Sequence, residues 1–211
     1  MQTSQLLQEL AHGRHLQLTH NHRSDPRLFN FYSRIDVFND SVLTWTEAAV
    51  EQFPVTRRTP ETQLVISHRD RMTINAAMNS STTPGCVLVA APAHCSARNA
   101  PQDMYIAPGA RLLGAGGCCL KGVFYWVKAV DNKHVTLTDG QQLDLQRAAR
   151  CLRLSHAITY ASCQGLTLHG VLRLYTNGAF TCRHLYVGAS RATSADLLEV
   201  QPSSAKYDPW N

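Results

Sequence analysis

Two arginines are the residues best placed to do chemistry in this sequence. Arg23 lies in a polar loop between a short predicted strand and a predicted helix, and Arg191 follows an apolar, β-rich run and stands among small residues. At the carboxyl edge of a parallel sheet, a guanidinium suits a phosphate oxygen. Facing a phosphate that another domain binds, it acts as an arginine finger. The competing interpretation is structural, with Arg23 paired to Asp25 and Arg191 paired to Asp196.

A third polar segment, Thr159–Thr167, reads TYASCQGLT. Gly165 permits a close approach of the backbone, and Gln164 and Thr167 have neutral hydrogen-bonding groups. Neutral donors beside a glycine suit either a nucleotide ribose or the sugar-phosphate of a single strand. The competing interpretation is a polar connecting loop that binds no ligand.

Composition and charge set the broad class of the protein. The chain has 211 residues, of which 44% are hydrophobic, and a net charge of +5 that is compatible with a phosphate-rich partner. It has no apolar run near the ~18 residues that span a bilayer, and we expect its polar N-terminus not to act as a signal peptide. Seven cysteines without a CxxC pair favour reduced thiols and no metal site. We therefore expect an intracellular protein, cytoplasmic or nuclear, that does not enter a membrane.

The elements that must position these residues alternate between helix and strand, which predicts a parallel sheet with helices on its faces. His68–Arg71 is interpreted as a solvated turn before a helix. The predicted helices are Thr3–Ala11, Pro26 to about Arg34, Thr46–Gln52 and Met72–Asn79. The predicted strands are Leu16–Thr19, Gln63–Ser67, Cys86–Ala93, Gly170–Tyr175 and His184–Val187.

A different pattern interrupts this alternation. Four short β segments are separated by Gly and Asp-Asn turns, at Ala110–Leu113, Gly122–Val130, His134–Thr138 and Gln142–Leu145. This spacing predicts a small antiparallel barrel or meander. We therefore predict an α/β fold in two parts, a discontinuous domain of residues 1–108 and 147–211 and an inserted β subdomain of residues 109–146.

The order of four segments resembles the second RecA-like motor domain of superfamily 1 DNA helicases, on the RecD/Dda-like branch. THNHRSD is similar to motif IV of that family, and VISHRDRMTINAAMN resembles the segment that ends in "IN". HAITYASCQGLTL resembles motif V, usually AITxHKxQGxTL, and HLYVGASRATS resembles the YVALSRA box of motif VI. The resemblance spans nearly the whole chain, and the β-rich insertion matches the small Src-homology-type barrel of this branch.

This resemblance implies roles for the polar residues. Arg23 would be the motif IV arginine and Arg191 the motif VI arginine finger, both facing the γ-phosphate of ATP. The motif V residues would touch DNA and couple it to the state of the nucleotide. The implied nucleotide- or DNA-binding residues are Gln164, Gly165, Thr167 and Ser190.

Two departures from the family pattern limit what the chain does by itself. Ala161-Ser162 replaces the His-Lys of motif V, so one basic contact with the strand is absent. The sequence also has no GxxxxGK[ST] loop and no acidic pair after a buried strand. We therefore expect ATP and Mg²⁺ to bind only together with an N-terminal RecA-like motor domain, in cis or in trans, and the isolated chain to lack ATPase activity.

The sequence thus predicts the C-terminal motor half of an ATP-dependent DNA helicase that contacts single-stranded nucleic acid, DNA in preference to RNA. The alternative is a helicase-derived protein without enzymatic activity, a nucleic-acid-binding or structural scaffold. A third interpretation is a plain single-strand binder that uses Phe124, Tyr125 and Trp126 as stacking platforms. Because neighbouring strand residues alternate between faces, at most two of these rings point the same way.

Overall fold

The computed structural model describes residues 21–79, 84–93 and 100–202. The predicted helix Thr3–Ala11 and strand Leu16–Thr19 lie outside the described residues. The helices are α1 (Pro26–Tyr32), α2 (Val42–Gln52), α3 (His68–Met78), α4 (Leu145–Cys151) and α5 (Cys182–Ala189), with a 3-10 turn at Ala195–Leu197. The strands are β1 (Thr62–Val65), β2 (Val87–Val89), β3 (Met104–Ile106), β4 (Arg111–Gly114), β5 (Phe124–Val130), β6 (His134–Leu137), β7 (Gln142–Asp144), β8 (Leu152–Leu154), β9 (Ala157–Thr159), β10 (Leu172–Tyr175) and β11 (Leu198–Gln201).

Four strands form the predicted parallel sheet, in the order β11-β10-β1-β9. Leu64 of β1 pairs with Leu174 of β10 on one side and Ile158 of β9 on the other. Strands β1 and β10 are buried along their whole length, as expected for parallel strands with both faces covered. The sheet confirms the α/β fold class, although β9 and β11 were not predicted from the sequence.

A buried ion pair joins β10 to β11. Arg173 Nη2 lies 2.9 Å from Glu199 Oε2, and these side chains are 4% and 0% exposed. Arg173 Nε donates a second hydrogen bond to the same oxygen, at 3.0 Å. The other carboxylate oxygen accepts a hydrogen bond from the Thr56 hydroxyl at 2.5 Å. Such partners offset the cost of removing both charges from water.

Helix α3 packs on the outer edge of β9 through one amide side chain. Asn75 Oδ1 accepts the Ala157 N–H at 2.8 Å, and Asn75 Nδ2 donates to the Ala157 carbonyl at 3.0 Å. The helix begins at His68 rather than at the predicted Met72, because the Ser67 hydroxyl accepts the Asp70 N–H and caps the helix there. The charged segment His68–Arg71 is therefore the first helical turn.

The predicted strand His184–Val187 is wrong, since these residues belong to helix α5. Thr181 and His184 form a capping box, in which each side chain binds the backbone N–H of the other residue. A short apolar run does not distinguish a strand from a helix, but the capping box at Thr181 and His184 favours a helix. Gly188 lets α5 lie close to β10, because a Cβ there would come within 2.9 Å of Leu174 and Tyr160.

The second sheet is antiparallel, in the order β7-β6-β5-β4-β8, and confirms the predicted interruption by short strands. Its register shifts between Val127 and Ala129 of β5, which bends the strand. A separate apolar core beneath this sheet includes residues from Val89 to Leu154. The boundaries of the inserted subdomain, residues 109 and 146, stay a prediction. No helix within the described residues is long and apolar enough to cross a membrane.

Candidate functional site

The chain topology places Arg191 at the amino ends of the parallel strands. Helix α5 starts after the carboxyl end of β10 and runs back toward the amino end of β11. Leu168, four residues before β10, donates its N–H to the Arg191 carbonyl at 2.9 Å. The expectation that Arg191 follows a strand is therefore wrong, because it follows this returning helix. Arg23, which was expected at the carboxyl edge, contacts the Ser190 carbonyl and so lies at the amino ends as well.

The two predicted finger arginines meet at Ser190, and we call Arg23, Ser190 and Arg191 the arginine cluster. Arg23 Nη1 donates to the Ser190 carbonyl at 3.3 Å, and Arg191 Nη2 donates to the Ser190 hydroxyl at 3.0 Å. The Asp25 N–H donates to the Thr193 carbonyl at 3.1 Å, which ties the two segments together. Residues 167 positions apart in the chain thus form one cationic surface.

Neither arginine of the cluster has a carboxylate partner among the described residues. Asp25 instead accepts the N–H groups of Leu28 and Ala195, and Asp196 pairs with Arg27. The two pairings that the sequence suggested, Arg23 with Asp25 and Arg191 with Asp196, are therefore not seen among the described residues. Burial lowers the pKa of Arg191, and the nearby charge of Arg23 lowers it further. A bound anion would relieve this repulsion.

In this structure the guanidinium of Arg191 also binds the backbone of two neighbouring segments. Nη1 donates to the Leu166 carbonyl and Nε to the Val187 carbonyl, both at 3.3 Å. These distances are at the long end for N–H···O hydrogen bonds, so each contact is weak. Arg191 therefore links the end of α5 to the loop that contains the motif V-like residues.

The loop after β9 exposes Gln164 and Gly165 to solvent. Gly165 has a φ of +86°, and a Cβ there would meet no described atom within 4 Å. Glycine is therefore favoured at position 165 by its backbone conformation, and not because a neighbouring atom leaves no room for a side chain.

Ser162, at the position of the family's lysine, pairs its hydroxyl with that of Thr159 at 2.8 Å. Cys163 is fully buried, and burial raises the pKa of its thiol to about 12.

Thr167 lies apart from Gln164 and Gly165, in a cleft between the two sheets. The cleft has a volume of about 360 Å³ and is lined by Glu61, Arg111, Phe124, Trp126, Ser155, His156, Thr167 and His169. Trp126 is 47% exposed. Phe124 and Trp126 point the same way, whereas the Tyr125 hydroxyl accepts the Leu120 N–H at 2.9 Å. The expected alternation of the three rings is thus observed.

Arg111 is the residue of this cleft that sequence reasoning missed. Its guanidinium donates to the carbonyls of Glu61 and Ser155 and lies 4.6 Å from the centroid of the Phe124 ring. These contacts join the antiparallel sheet to the amino ends of β1 and β9. No local motif marks Arg111, because the carbonyls that it binds are 44 to 50 residues away in the chain.

The arginine cluster fits phosphate better than a divalent cation. Guanidinium and hydroxyl groups donate hydrogen bonds, whereas Mg²⁺ takes oxygen ligands such as carboxylates. Within the described ranges, no three His, Cys, Asp or Glu side chains come together as a metal site.

Comparison with known proteins identifies the fold. No protein-family model matches the chain, and no curated protein matches its sequence. In structure, the chain has a RecA-like fold, with a parallel sheet and a second, antiparallel sheet, that is similar to Pif1 helicase structures. Pif1 from Candida albicans matches with a TM-score of 0.58 at 15% identity, over 88% of this chain and 54% of that one.

Two Bacteroides structures support the same fold. Bacteroides Pif1 bound to ssDNA has a TM-score of 0.60 at 15% identity, over 87% of this chain and 50% of that one. Bacteroides Pif1 in complex with ADP-AlF3 and ssDNA has a TM-score of 0.61 at 16% identity, over 90% of this chain and 52% of that one. At this identity the likeness shows the fold alone. The chain spans about half the length of the structures it matches.

Proposed function

We propose that this chain is the C-terminal motor half of an ATP-dependent DNA helicase. The observation that carries the proposal is the arginine cluster, in which two cations meet at Ser190 without a described carboxylate partner. A trans-acting phosphate site has this form, because its counterion is the nucleotide of another domain. An N-terminal RecA-like domain, in cis or in trans, would bind ATP and Mg²⁺.

In this mechanism Arg191 stabilises the charge on the γ-phosphate as it is transferred, and Arg23 binds an oxygen of the same group. Ser190 orients both guanidinium groups through its hydroxyl and carbonyl. To reach a phosphate, Arg191 would exchange its weak bond to the Leu166 carbonyl for a charge-assisted one. Nucleotide binding would thereby release the loop that begins after β9.

The same loop and the cleft would contact single-stranded DNA. Gln164, Gly165 and Thr167 would bind its backbone with neutral donors, and Trp126 would stack on a base. The ssDNA complexes of Bacteroides Pif1 support DNA as the nucleic acid. Because Leu166 lies beside Thr167, the exchange at Arg191 would couple DNA contact to the state of the nucleotide.

The test is reconstitution with a motor domain that contains the P-loop, fused to this chain or mixed with it. We expect Mg²⁺-dependent ATP hydrolysis in the pair, none in the chain by itself, and a loss of about 10³-fold in Arg191→Ala. Arg27→Ala is the matched control, because Arg27 is an exposed arginine that pairs with Asp196. Hydrolysis by the isolated chain that Arg191→Ala abolishes, or a loss below tenfold in the pair, would contradict the proposal.

A second candidate is a helicase-derived scaffold that binds nucleic acid without enzymatic activity. It is favoured by Arg191, whose guanidinium already binds Leu166, Val187 and Ser190. Fluorescence anisotropy with a labelled oligonucleotide, together with the hydrolysis assay, separates the two. The scaffold hypothesis predicts that the chain binds the oligonucleotide and that Trp126→Ala weakens this binding by about 1–3 kcal/mol. It also predicts no ATP hydrolysis when the chain is paired with a motor domain. The motor half predicts that binding also changes when nucleotide is added to the pair.

A further inference from the structure

Two cysteines of the antiparallel region face each other across the entry to β8. Cys118 Sγ lies 2.7 Å from Cys151 Sγ, and the Cys118 N–H points at the same sulfur at 3.4 Å. Cys118 is exposed, Cys151 is 7% exposed, and every described cysteine is a free thiol. Neither residue takes part in the proposed motor site.

The backbone around this thiol pair is built to bring the sulfurs together. The Ala115 N–H donates to the Cys151 carbonyl at 2.7 Å, and Gln141 Nε2 donates to the Cys118 carbonyl at 3.0 Å. The intervening turn passes through Gly117, with a φ of +72°. A Cβ on Gly117 would lie 2.9 Å from Cys151 Sγ. A side chain at this position would therefore push the turn away from the thiol.

We propose that Cys118 and Cys151 are a modification site that thiol oxidants of the peroxide class convert to an intramolecular disulfide. The Cys118 thiolate attacks one oxygen of the peroxide, and the O–O bond breaks. This step converts Cys118 to a sulfenic acid and releases hydroxide, which takes up a proton to form water. The Cys151 thiolate then attacks that sulfur and expels a second hydroxide, again as water. Two thiols are oxidised and one peroxide is reduced to two waters.

The geometry of the pair assigns the order of these steps. The exposed Cys118 meets the oxidant, and Cys151 is close enough that the sulfurs approach by less than about 1 Å to reach bonding distance. Burial raises the pKa of Cys118, and the neighbouring Cys151 raises it further. The thiolate is therefore scarce at neutral pH, and the reaction accelerates as the pH rises.

Cys119 is adjacent in sequence but does not compete for this role. It is 2% exposed, and its Sγ points at Gln141 Oε1 at 3.8 Å. Burial raises the pKa of its thiol to about 12, with a further contribution from Cys118. It is thus shielded from solvent and protonated under the conditions in which Cys118 reacts.

The disulfide would connect the turn after β4 to the end of α4, which are 33 residues apart in sequence. A cross-link of this length restricts the unfolded chain and raises the melting temperature, by roughly 5–10 °C for a chain of this size. Oxidation would thus stiffen the antiparallel sheet where β8 leads into the parallel sheet.

The test uses the full chain, treated with hydrogen peroxide at pH 7 and pH 8.5 and digested without reduction. We expect a peptide pair that joins Cys118 to Cys151, two hydrogens lighter than the thiols, formed faster at pH 8.5 and reversed by a reductant. Cys118→Ser and Cys151→Ser should each abolish the pair, whereas Cys119→Ser and the matched control Cys163→Ser should keep it.

A thermal shift provides the second measurement. Peroxide should raise the melting temperature of the wild type and not that of Cys118→Ser, a variant of an exposed side chain that we expect to fold. Three outcomes would overturn the proposal: a Cys118–Cys119 bond, a dimer linked through Cys118, or an over-oxidised Cys118 beside a reduced Cys151.

Discussion

The chain contains two arginine sites with opposite electrostatics. Arg173 is buried between β10 and β11 and has a fully buried carboxylate partner, Glu199, at 2.9 Å. Arg23 and Arg191 meet at the surface, at the amino ends of the strands, without a described carboxylate partner. At the first site a carboxylate within the fold balances the Arg173 charge and also contacts Arg58 at 3.5 Å, whereas the second site leaves two positive charges to be neutralised.

This difference separates arginines that stabilise the fold from arginines that are available to a ligand. A buried charge is tolerated when its partner is built into the chain, so removing the partner leaves an expensive uncompensated charge. A surface cluster of like charges costs little to dismantle, because water already screens it. Mutation should therefore cost much more stability at the buried site than at the arginine cluster.

The largest expected effect is on the buried site. Glu199→Gln keeps the shape of the side chain and leaves the Arg173 charge unpaired, so the free energy of unfolding should fall by about 3–5 kcal/mol. Chemical denaturation measures this loss. Asp196→Asn, which breaks the exposed pair with Arg27, is the control and should cost no more than about 1 kcal/mol. Equal losses in the two variants would show that burial does not increase the contribution of an ion pair to the stability of this fold.

A smaller change in stability should appear when the arginine cluster binds an anion. Pyrophosphate at about ten times its dissociation constant should stabilise the wild type by about 1.4 kcal/mol, a rise in melting temperature of roughly 3–5 °C. Arg191→Ala should lose this rise, and Arg27→Ala should retain it. Differential scanning fluorimetry measures both, and an equal rise in the two variants would show that the anion binds elsewhere.

The smallest effect is a pH dependence that comes from His156, in the cleft beside Arg111. Burial lowers the pKa of His156 and the Arg111 charge lowers it further, so the unfolded chain takes up this proton at a higher pH than the folded chain. Stability is therefore complete above the ordinary histidine pKa, about 6.5, and falls as the pH drops through it. His156→Asn should reduce the loss measured between pH 7 and pH 5.5. An unchanged slope would contradict this assignment.

The elements with strong local signals were predictable from sequence. Ser24-Asp25-Pro26 signals the start of α1, and the Asp25 carboxylate does cap it. The strands β4 to β7 follow from turn residues at regular spacing, and all four are observed. Helix α5 was missed, because Leu185, Tyr186 and Val187 suit a strand until the cap at Thr181 is taken into account.

The candidate site was predictable in its residues but not in its geometry. Motif order singled out Arg23 and Arg191, and their roles stay predictions. Their meeting at Ser190 depends on contacts between distant parts of the chain, which no local pattern encodes. The same holds for Arg111, whose partners lie in three other segments. Topology also decided which end of the sheet the site occupies, because that follows from the direction of α5.

The amide of Asn75 has a consequence for how copies of this protein behave in solution. An edge strand with free N–H and C=O groups is a template on which another chain can add a strand and begin to aggregate. At the outer edge of β9, the Ala157 N–H and carbonyl are already bound by Asn75. Asn75 thus occupies the outward hydrogen-bonding groups of Ala157, and we expect it to hinder strand addition at this edge as well as to join α3 to β9.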